Sequence, residues 1–221
     1  MQPDCLSAEG ERRCRQLLAR TTARFRARPA AAAVLVPLCL VRGVPSLLYT
    51  LRSSRLTGRH QGDVRTQAPD SLCLFSFPGG KCDPADQDVV HTALRETQEE
   101  LGLAVSEEHV WGILQPVHDT RKATVVPVLA SVGPLDLQSL KPNPEEVDEV
   151  FVLPLAHLLQ TQNQGYTHFC QDGHFRYTLP VFLHGPHRIW GLTAIVTDFT
   201  LQLLAPGAYQ PRLISPELPL G

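Results

Sequence analysis

The stretch 94–103, LRETQEELGL, places three glutamates at spacings that a helix brings together. On a helix, Glu96 is an i,i+4 neighbour of Glu100 and an i,i+3 neighbour of Glu99, so the three carboxylates converge on one patch. Like charges at these spacings destabilise a helix by about 0.2–0.5 kcal/mol per pair, and a divalent cation with oxygen ligands turns that repulsion into binding. A site for a hard divalent cation such as Mg²⁺ is one interpretation of the pattern. A solvated acidic helix face is the alternative interpretation.

We predict that the helix carrying these glutamates spans 84–101. Asp83 is a favoured N-cap residue, Pro84 suits the first helical position, and Gly102 is the expected C-terminal stop. Asp86 then lies in the first turn, where a negative charge favours the positive end of the helix dipole.

One side of this helix is expected to face the core. Its stripe consists of Val90, Leu94, Thr97 and Leu101. We expect the three glutamates on the opposite side. Arg95 precedes Glu99 by four residues and is expected to orient its carboxylate. The preceding turn 77–80, FPGG, contains two glycines, which allow the backbone to approach a bound diphosphate closely.

Together, the turn and the helix resemble the signature of the Nudix hydrolase family. In that signature a Gly-led loop runs into a helix carrying R-E-U-x-E-E-x-G-U (U aliphatic), and 95–103 fills this half in register, with Thr97 at a U position. The upstream half departs, because Gly80 lies fifteen residues before Arg95, one more than usual, and Asp86 replaces the first Glu. The resemblance implies an α/β (α+β) fold with a mixed β-sheet sandwiched between α-helices. It also implies metal-dependent hydrolysis of a nucleoside diphosphate linked to another group.

Segments outside the helix resemble the coenzyme A diphosphatase branch of that family. They are 52–56 (RSSRL), 60–64 (HQGDV), 76–81 (SFPGGK) and 189–194 (IWGLTA). This resemblance implies coenzyme A and its thioesters as substrates, with 3′,5′-ADP and (acyl-)4′-phosphopantetheine as products. Two alternatives remain open: another nucleoside diphosphate derivative such as ADP-ribose or NADH, and a catalytically weakened binding module.

The resemblance also implies roles for individual residues. Glu96, Glu99 and Glu100 are the expected ligands of Mg²⁺ or Mn²⁺, and Glu96 and Glu99 with Arg95 form the expected catalytic set. The expected phosphate-binding residues are Arg52, Arg55, His60, Gly79, Gly80 and Lys81. One of the helix glutamates, or a loop acid, would accept the proton of the attacking water. The loop candidates are Glu145, Glu146 and Glu149, and the sequence does not choose among them.

One segment departs from the branch pattern. Eleven residues, 65–75 (RTQAPDSLCLF), separate Val64 from Ser76, where the branch runs almost directly from one to the other. Doubling the length of a loop costs only about 0.6 kcal/mol in closure entropy, so the fold tolerates such an insertion. Its position beside the glycine turn predicts weaker substrate binding with the metal-binding helix intact.

The N-terminus is rich in arginine. Between residues 12 and 28 the chain has seven arginines and no acid, and such segments resemble mitochondrial transit peptides. An ordinary basic surface helix is the alternative. We therefore expect a basic leader or helix over 1–28, a Nudix domain over 29–204, a loosely ordered Pro-rich tail over 205–221, and a mitochondrial location.

Composition restricts the partners. The chain has 221 residues, 43% of them hydrophobic, and a formal net charge of −2, so it has no overall basic field for nucleic acid or a membrane surface. No apolar run approaches the roughly 20 residues that span a bilayer. We expect a small-molecule substrate, no nucleic-acid or membrane partner, and a monomer.

The remaining chain predicts mainly strands. Segments 31–41 and 46–51 form one predicted hairpin around residues 42–45, and 166–170 and 174–183 form a second around Asp172-Gly173. Further strands are predicted at 110–117, 123–132, 150–153 and 187–191. Short and closing helices are predicted at 154–159 and 193–204.

Overall fold

A mixed β-sheet forms the centre of the computed structural model, which describes residues 6–53, 75–119, 122–171 and 174–210. Strands β1 (Ala32–Val41) and β2 (Val44–Arg52) are antiparallel, and β1 is parallel to β7 (Thr124–Pro134). The other strands of this sheet are β3 (Phe75–Ser76), β4 (Gly79–Lys81), β5 (Val110–Ile113), β6 (Val117–His118) and β8 (Val147–Pro154). A separate antiparallel pair consists of β9 (Gln164–Gln171) and β10 (His174–Phe182).

Helices cover both faces of the sheet. They are α1 (Ala8–Phe25), α2 (Val89–Leu101), α3 (Leu155–Leu158) and α4 (Gly191–Leu204). Single turns of 3₁₀ helix lie at Glu107–His109, Leu137–Ser139 and Thr161–Asn163. No helix among the described residues is both long and apolar enough to cross a bilayer.

Strand β1 supplies side chains to two cores because successive residues of a strand point to opposite faces. Ala33 and Leu35 pack with α2, whereas Val36 and Leu38 pack in a cluster with α1 and α4. Each fully buried aliphatic side chain contributes about 1.5–3 kcal/mol to folding. The predicted mixed sheet between helices is therefore confirmed.

The glycine turn is inserted into the sheet where β1 and β2 separate. Strand β3 pairs with the end of β2, and β4 pairs with the start of β1. Between these strands the Pro78 carbonyl accepts a hydrogen bond from the Leu35 N–H at 2.8 Å. Gly79 has φ +150°, and a Cβ there would overlap the backbone of Ala33 and Val34. Only glycine fits at this position.

Both predicted hairpins are confirmed, with a shorter first turn. Arg42 (φ 50°) and Gly43 (φ 77°) make a two-residue turn, so Val44 and Pro45 already belong to β2. Positive φ at both central residues matches the twist of the flanking strands. The Asp172-Gly173 turn of the second hairpin lies outside the described residues.

The prediction that α2 begins at Pro84 is wrong. Asp88 is the N-cap, and its carboxylate accepts a hydrogen bond from the His91 N–H at 2.9 Å. Upstream, the Asp83 carbonyl accepts from the Asp86 N–H in a separate turn. An Asp-Pro pair suits the first two positions of a β-turn as well as the start of a helix. The predicted stop is confirmed, since Gly102 is left-handed at φ 65°.

Two predictions near the C-terminus are also wrong. The predicted strand at 187–191 is reduced to one bridge between Phe182 and Ile189, because α4 begins at Gly191. The tail is not loose from Ala205 onward. Tyr209 is buried, and its hydroxyl donates to the Asp198 carboxylate of α4 at 2.5 Å. Residues 211–221 lie outside the described part of the chain.

Candidate active site

The glutamates of α2 differ strongly in exposure. The whole Glu100 residue is 5% exposed, whereas the side chains of Glu96 and Glu99 are 17% and 54% exposed. The expectation that all three lie opposite the core is wrong for Glu100. The buried face of α2 is wider than the predicted stripe, because Thr92 and Ala93 are also fully buried. The glycine turn covers the helix on that side.

Two glycines bring the turn into contact with these carboxylates. Glu100 Oε2 accepts a hydrogen bond from the Gly79 N–H at 3.1 Å. A Cβ at Gly80 would overlap the carboxylate of Glu96. The glycines were predicted to let the backbone approach a bound diphosphate. In the structure they let it approach the carboxylates of Glu96 and Glu100. Substrate binding by Gly79 and Gly80 stays a prediction.

Burial changes the acidity of the site. It raises the pKa of Glu100 from 4.5 to about 7, although the Gly79 N–H and the charge of Arg52 act in the opposite direction. Burial also raises the pKa of Glu96, against the opposing effect of its hydrogen bond to Arg95. The negative charge of Glu146 raises both pKa values further. Glu96, Glu100 and Glu146 therefore affect one another electrostatically, and Arg52 lies close to Glu100.

Arg95 connects the helix to the preceding turn. Its Nε and Nη2 donate to the two oxygens of Asp86 at 2.8 and 2.9 Å, and Nη1 donates to Glu96 at 3.0 Å and Glu99 at 3.1 Å. The predicted contact with Glu99 is confirmed. The guanidinium of Arg95 holds the pKa of Asp86 well below its usual range. Asp86, whose place in the signature was only approximate, is the anchor of Arg95.

The donor set suits a hard divalent cation, since Glu96, Glu99 and Glu100 offer only carboxylate oxygens. Within the described ranges, however, no three His, Cys, Asp or Glu side chains are close enough together to hold an ion in their present orientations. The reason is local: Glu99 is turned towards Arg95, and Glu100 towards Gly79. The assignment of all three as ligands stays a prediction.

The structure places only part of the predicted phosphate-binding set. Arg52 ends β2 close enough to Glu100 to lower its pKa. Lys81 ends β4 with an exposed side chain, and its carbonyl accepts from Arg95 Nη2 at 3.4 Å. Arg55 and His60 lie outside the described residues.

The three loop acids are not equivalent. Glu146 acts on the pKa of both Glu96 and Glu100, and its carbonyl accepts a hydrogen bond from the Ser53 N–H beside Arg52. Glu149 instead pairs with His187 at 2.9 Å. The backbone N–H of Glu145 donates to the Asn143 side chain. Glu146 is therefore the loop acid whose charge raises the pKa of the helix glutamates Glu96 and Glu100.

An aromatic cluster supports the turn. Tyr49 stacks on Phe77 with ring centroids 4.8 Å apart, and Phe75 stacks on His187 at 4.6 Å. Phe75 pairs with Leu51 in β3, so this last residue of the predicted insertion belongs to the sheet. Residues 65–74 lie outside the described residues. The sequence offered no signal for His187, because its partners lie far away along the chain.

Known proteins are similar to this chain in sequence. A family model described as NUDIX domain matches residues 33–172. The chain belongs to the Nudix family. A human protein named mitochondrial coenzyme A diphosphatase NUDT8 is 81% identical over 213 residues, covering 96% of this chain and 86% of the relative. A mouse protein of the same name is 77% identical over 221 residues, with full coverage of both chains. Nudix hydrolase 3 of Caenorhabditis elegans is 34% identical over 203 residues, covering 83% of this chain and 77% of the relative.

Membership of the Nudix family confirms the hydrolase class predicted from 94–103. Nudix hydrolases generally use divalent metal ions, which agrees with the all-oxygen donor set of α2. The mitochondrial location predicted from the arginine-rich N-terminus is confirmed by the human and mouse relatives.

Proposed function

We propose that this Nudix hydrolase cleaves the diphosphate bond of coenzyme A and acyl-coenzyme A. The products are 3′,5′-ADP and 4′-phosphopantetheine or its acyl form. The observation that carries the chemistry is the contact of Glu96 and Glu100 with the Gly79-Gly80 turn, beside Arg52 and Arg95. The choice of substrate is supported by the human and mouse relatives, which are named coenzyme A diphosphatases.

In this proposal Glu96, Glu99 and Glu100 hold Mg²⁺ or Mn²⁺. The bound ion supplies neutralisation of charge on the diphosphate oxygens. Glu99 is the most exposed of the three, so its carboxylate can turn away from Arg95 and towards a metal ion without disturbing the core. A positive charge beside Glu100 favours its ionised form and lowers the pKa that burial raises.

Glu146 is the proposed acceptor of the proton from the attacking water. Its carboxylate is close enough to raise the pKa of both Glu96 and Glu100, and it lies on a loop rather than on the helix. As the water oxygen bonds to phosphorus, the bond from that phosphorus to the bridging oxygen breaks, and the water proton passes to the carboxylate. In this proposal Arg52 offsets the negative charge of the diphosphate. Lys81, Arg55 and His60 are further proposed phosphate contacts.

The test is incubation of the purified chain with coenzyme A, acetyl-coenzyme A, ADP-ribose and NADH, each with Mg²⁺ or Mn²⁺, with products identified by mass. We expect release of 3′,5′-ADP from the first two substrates. Faster hydrolysis of ADP-ribose or NADH would contradict the substrate assignment. Failure to hydrolyse any of the four would contradict enzymatic function and favour a binding module.

Variants of the acids separate their roles. Glu99→Gln should abolish turnover while preserving the melting temperature, because the side chain is half exposed. Glu146→Gln should lower kcat by about 10²–10⁴-fold with little change in KM, as expected for loss of a general base. Glu145→Gln is the matched control on the adjacent residue. An equal loss of kcat in both variants would contradict the specific role of Glu146.

A further inference from the structure

The arginine-rich segment predicted as a leader is built into the catalytic domain. On α1, Cys14 is fully buried and Leu18 is 5% exposed, both within the main hydrophobic cluster. Strand β5 has a glycine where α1 crosses it: a Cβ at Gly112 would lie 2.7 Å from Leu18 Cβ and 2.7 Å from Thr22 Oγ1. Thr22 Oγ1 accepts a hydrogen bond from the Ile113 N–H at 2.9 Å. The strand and the helix fit each other sterically.

Two partly exposed arginines of this segment donate hydrogen bonds to the rest of the domain. Arg15 donates to the carbonyls of Val110 and Glu108 at 2.5 and 2.6 Å. Arg13 donates to the Leu204 carbonyl at the end of α4 at 3.4 Å, where a helix leaves its last carbonyls without partners. These arginines therefore have structural partners that a transit peptide does not need.

The end of this segment holds the start of the metal-binding helix. Arg26 Nε pairs with Asp88 at 2.5 Å, and the Arg26 carbonyl accepts from the Val89 N–H at 3.4 Å. Asp88 is the N-cap of α2. Arg26 also pairs with Glu107 at 2.5 Å, which joins the same guanidinium to the 3₁₀ turn before β5. Removal of the segment would remove the ion pair of Asp88 with Arg26 and expose the surface of β5 that α1 covers.

We propose that α1 is a permanent part of the mature enzyme, that Arg26 positions the start of α2, and that processing in mitochondria does not remove α1. The arginines that resemble a transit peptide then serve the folded domain. A signal that is cleaved ahead of Ser7 is compatible with this assignment. Cleavage within or after α1 is not.

The decisive experiment maps the mature N-terminus and needs no substrate. The full chain with a C-terminal tag is expressed in cultured mammalian cells, purified from isolated mitochondria, and its first peptide is identified by mass spectrometry. We expect the mature chain to begin at or before Ser7. A mature chain beginning at any residue after Ser7 would overturn the proposal.

A second experiment tests the dependence of the domain on α1. Recombinant chains 7–221 and 29–221 are compared by thermal unfolding and by hydrolysis of the best substrate. We expect 7–221 to match the full chain, and 29–221 to lose both cooperative unfolding and activity. A stable and fully active 29–221 would contradict the proposal.

Point variants test the positioning role of Arg26 without removing α1. Arg26→Gln should raise the Mg²⁺ concentration needed for half-maximal activity by about two- to fivefold, the range expected for loss of a partly exposed ion pair. Arg26→Lys keeps the charge and should give a smaller rise. Arg20→Gln, on an exposed arginine of the same helix, is the control and should match the wild type. An Arg26→Gln variant with unchanged Mg²⁺ dependence would refute the positioning role.

Discussion

The C-terminal half of α2 is pressed against the Gly79-Gly80 turn, whereas its start is held by two arginine–aspartate pairs. In the first region the contacts are buried, and the space for any extra atom is absent. In the second region the arginine side chains are 26% and 40% exposed. The difference teaches that close contact with the turn restrains Glu96 and Glu100, while charge pairing restrains the start of the helix. Substitutions in the two regions should therefore fail in different ways.

The largest effects are expected at the two glycines of the turn, and they should be of different kinds. Gly79→Ala places a Cβ against the backbone of β1 at positive φ, so we expect a loss of about 3 kcal/mol or more in the free energy of unfolding. Gly80→Ala displaces only the flexible end of Glu96, so stability should be nearly unchanged. Its kcat should nevertheless fall about 10²-fold, because a misplacement of about 1 Å has effects of that size.

Denaturant unfolding and steady-state kinetics on the two variants check this contrast. Gly207→Ala, where nothing lies within 4 Å of the added Cβ, is the control for a glycine substitution as such. Equal loss of stability in Gly79→Ala and Gly80→Ala would break the distinction between backbone and side-chain overlap.

The second effect concerns pH and Glu100. Burial raises the pKa of Glu100 from 4.5 to about 7. Below pH 4.5 the carboxyl is neutral in both the folded and the unfolded chain, and its burial costs no charge. As the pH rises through 7 the buried carboxyl must ionise, so the free energy of unfolding falls. Glu100→Gln should therefore match the wild type in stability at pH 4.5. Without metal at pH 8.5, the variant should be more stable by roughly 3 kcal/mol.

Chemical unfolding in EDTA at the two pH values measures this difference, with Glu108→Gln as an exposed control. Addition of Mg²⁺ at pH 8.5 should stabilise the wild type and not the variant. A stability difference between Glu100→Gln and wild type that is independent of pH would show that burial does not govern this carboxyl.

The third effect is expected at Asp86. Asp86→Asn removes the charge that binds two nitrogens of Arg95, and the side chain of Asp86 is almost fully buried. We expect a loss of about 2 kcal/mol in the free energy of unfolding, together with reduced kcat as Arg95 loses its anchor. Asp83→Asn, on an exposed residue of the same turn, is the control. Loss of stability with full activity would mean that Arg95 does not depend on Asp86 for its position.

The smallest effect is expected at Asp88. Asp88→Asn keeps an N-cap oxygen and loses only the ion pair with Arg26, so we expect a loss of about 0.5 kcal/mol. Asp88→Ala also loses the cap and should cost about 1 kcal/mol more. Thermal unfolding of both variants, alone and combined with Arg26→Gln, tests whether the two residues act together. Strict additivity in the double variant would exclude the coupling.

Features that depend on local sequence were predictable. The β1–β2 hairpin, the glutamate spacing of α2 and the Gly102 stop each follow from a few neighbouring residues. The start of α2 was not predictable, because Asp83-Pro84 is compatible with a turn and with a helix. The helix begins after Asp88, which is its N-cap and also forms an ion pair with the distant Arg26.

Features that depend on distant residues could not be predicted. The buried carboxylate of Glu100 contacts the turn inserted between β1 and β2, and the helical period of α2 gives no signal for that contact. Arg26 and Asp88 are 62 residues apart, so their pairing has no local signal. The Tyr209 hydroxyl likewise meets Asp198 only after the chain folds back over α4.

The insertion of the glycine turn into the sheet has a thermal consequence. The turn is hydrogen-bonded through Pro78 to β1 and through Gly79 to α2, so it cannot open unless the sheet or the helix opens as well. The amides of Leu35 and Gly79 should then exchange with solvent only through the unfolding that opens the whole domain. On heating, activity and the sheet should disappear at the same temperature, with no range in which a folded domain carries a disordered active-site turn.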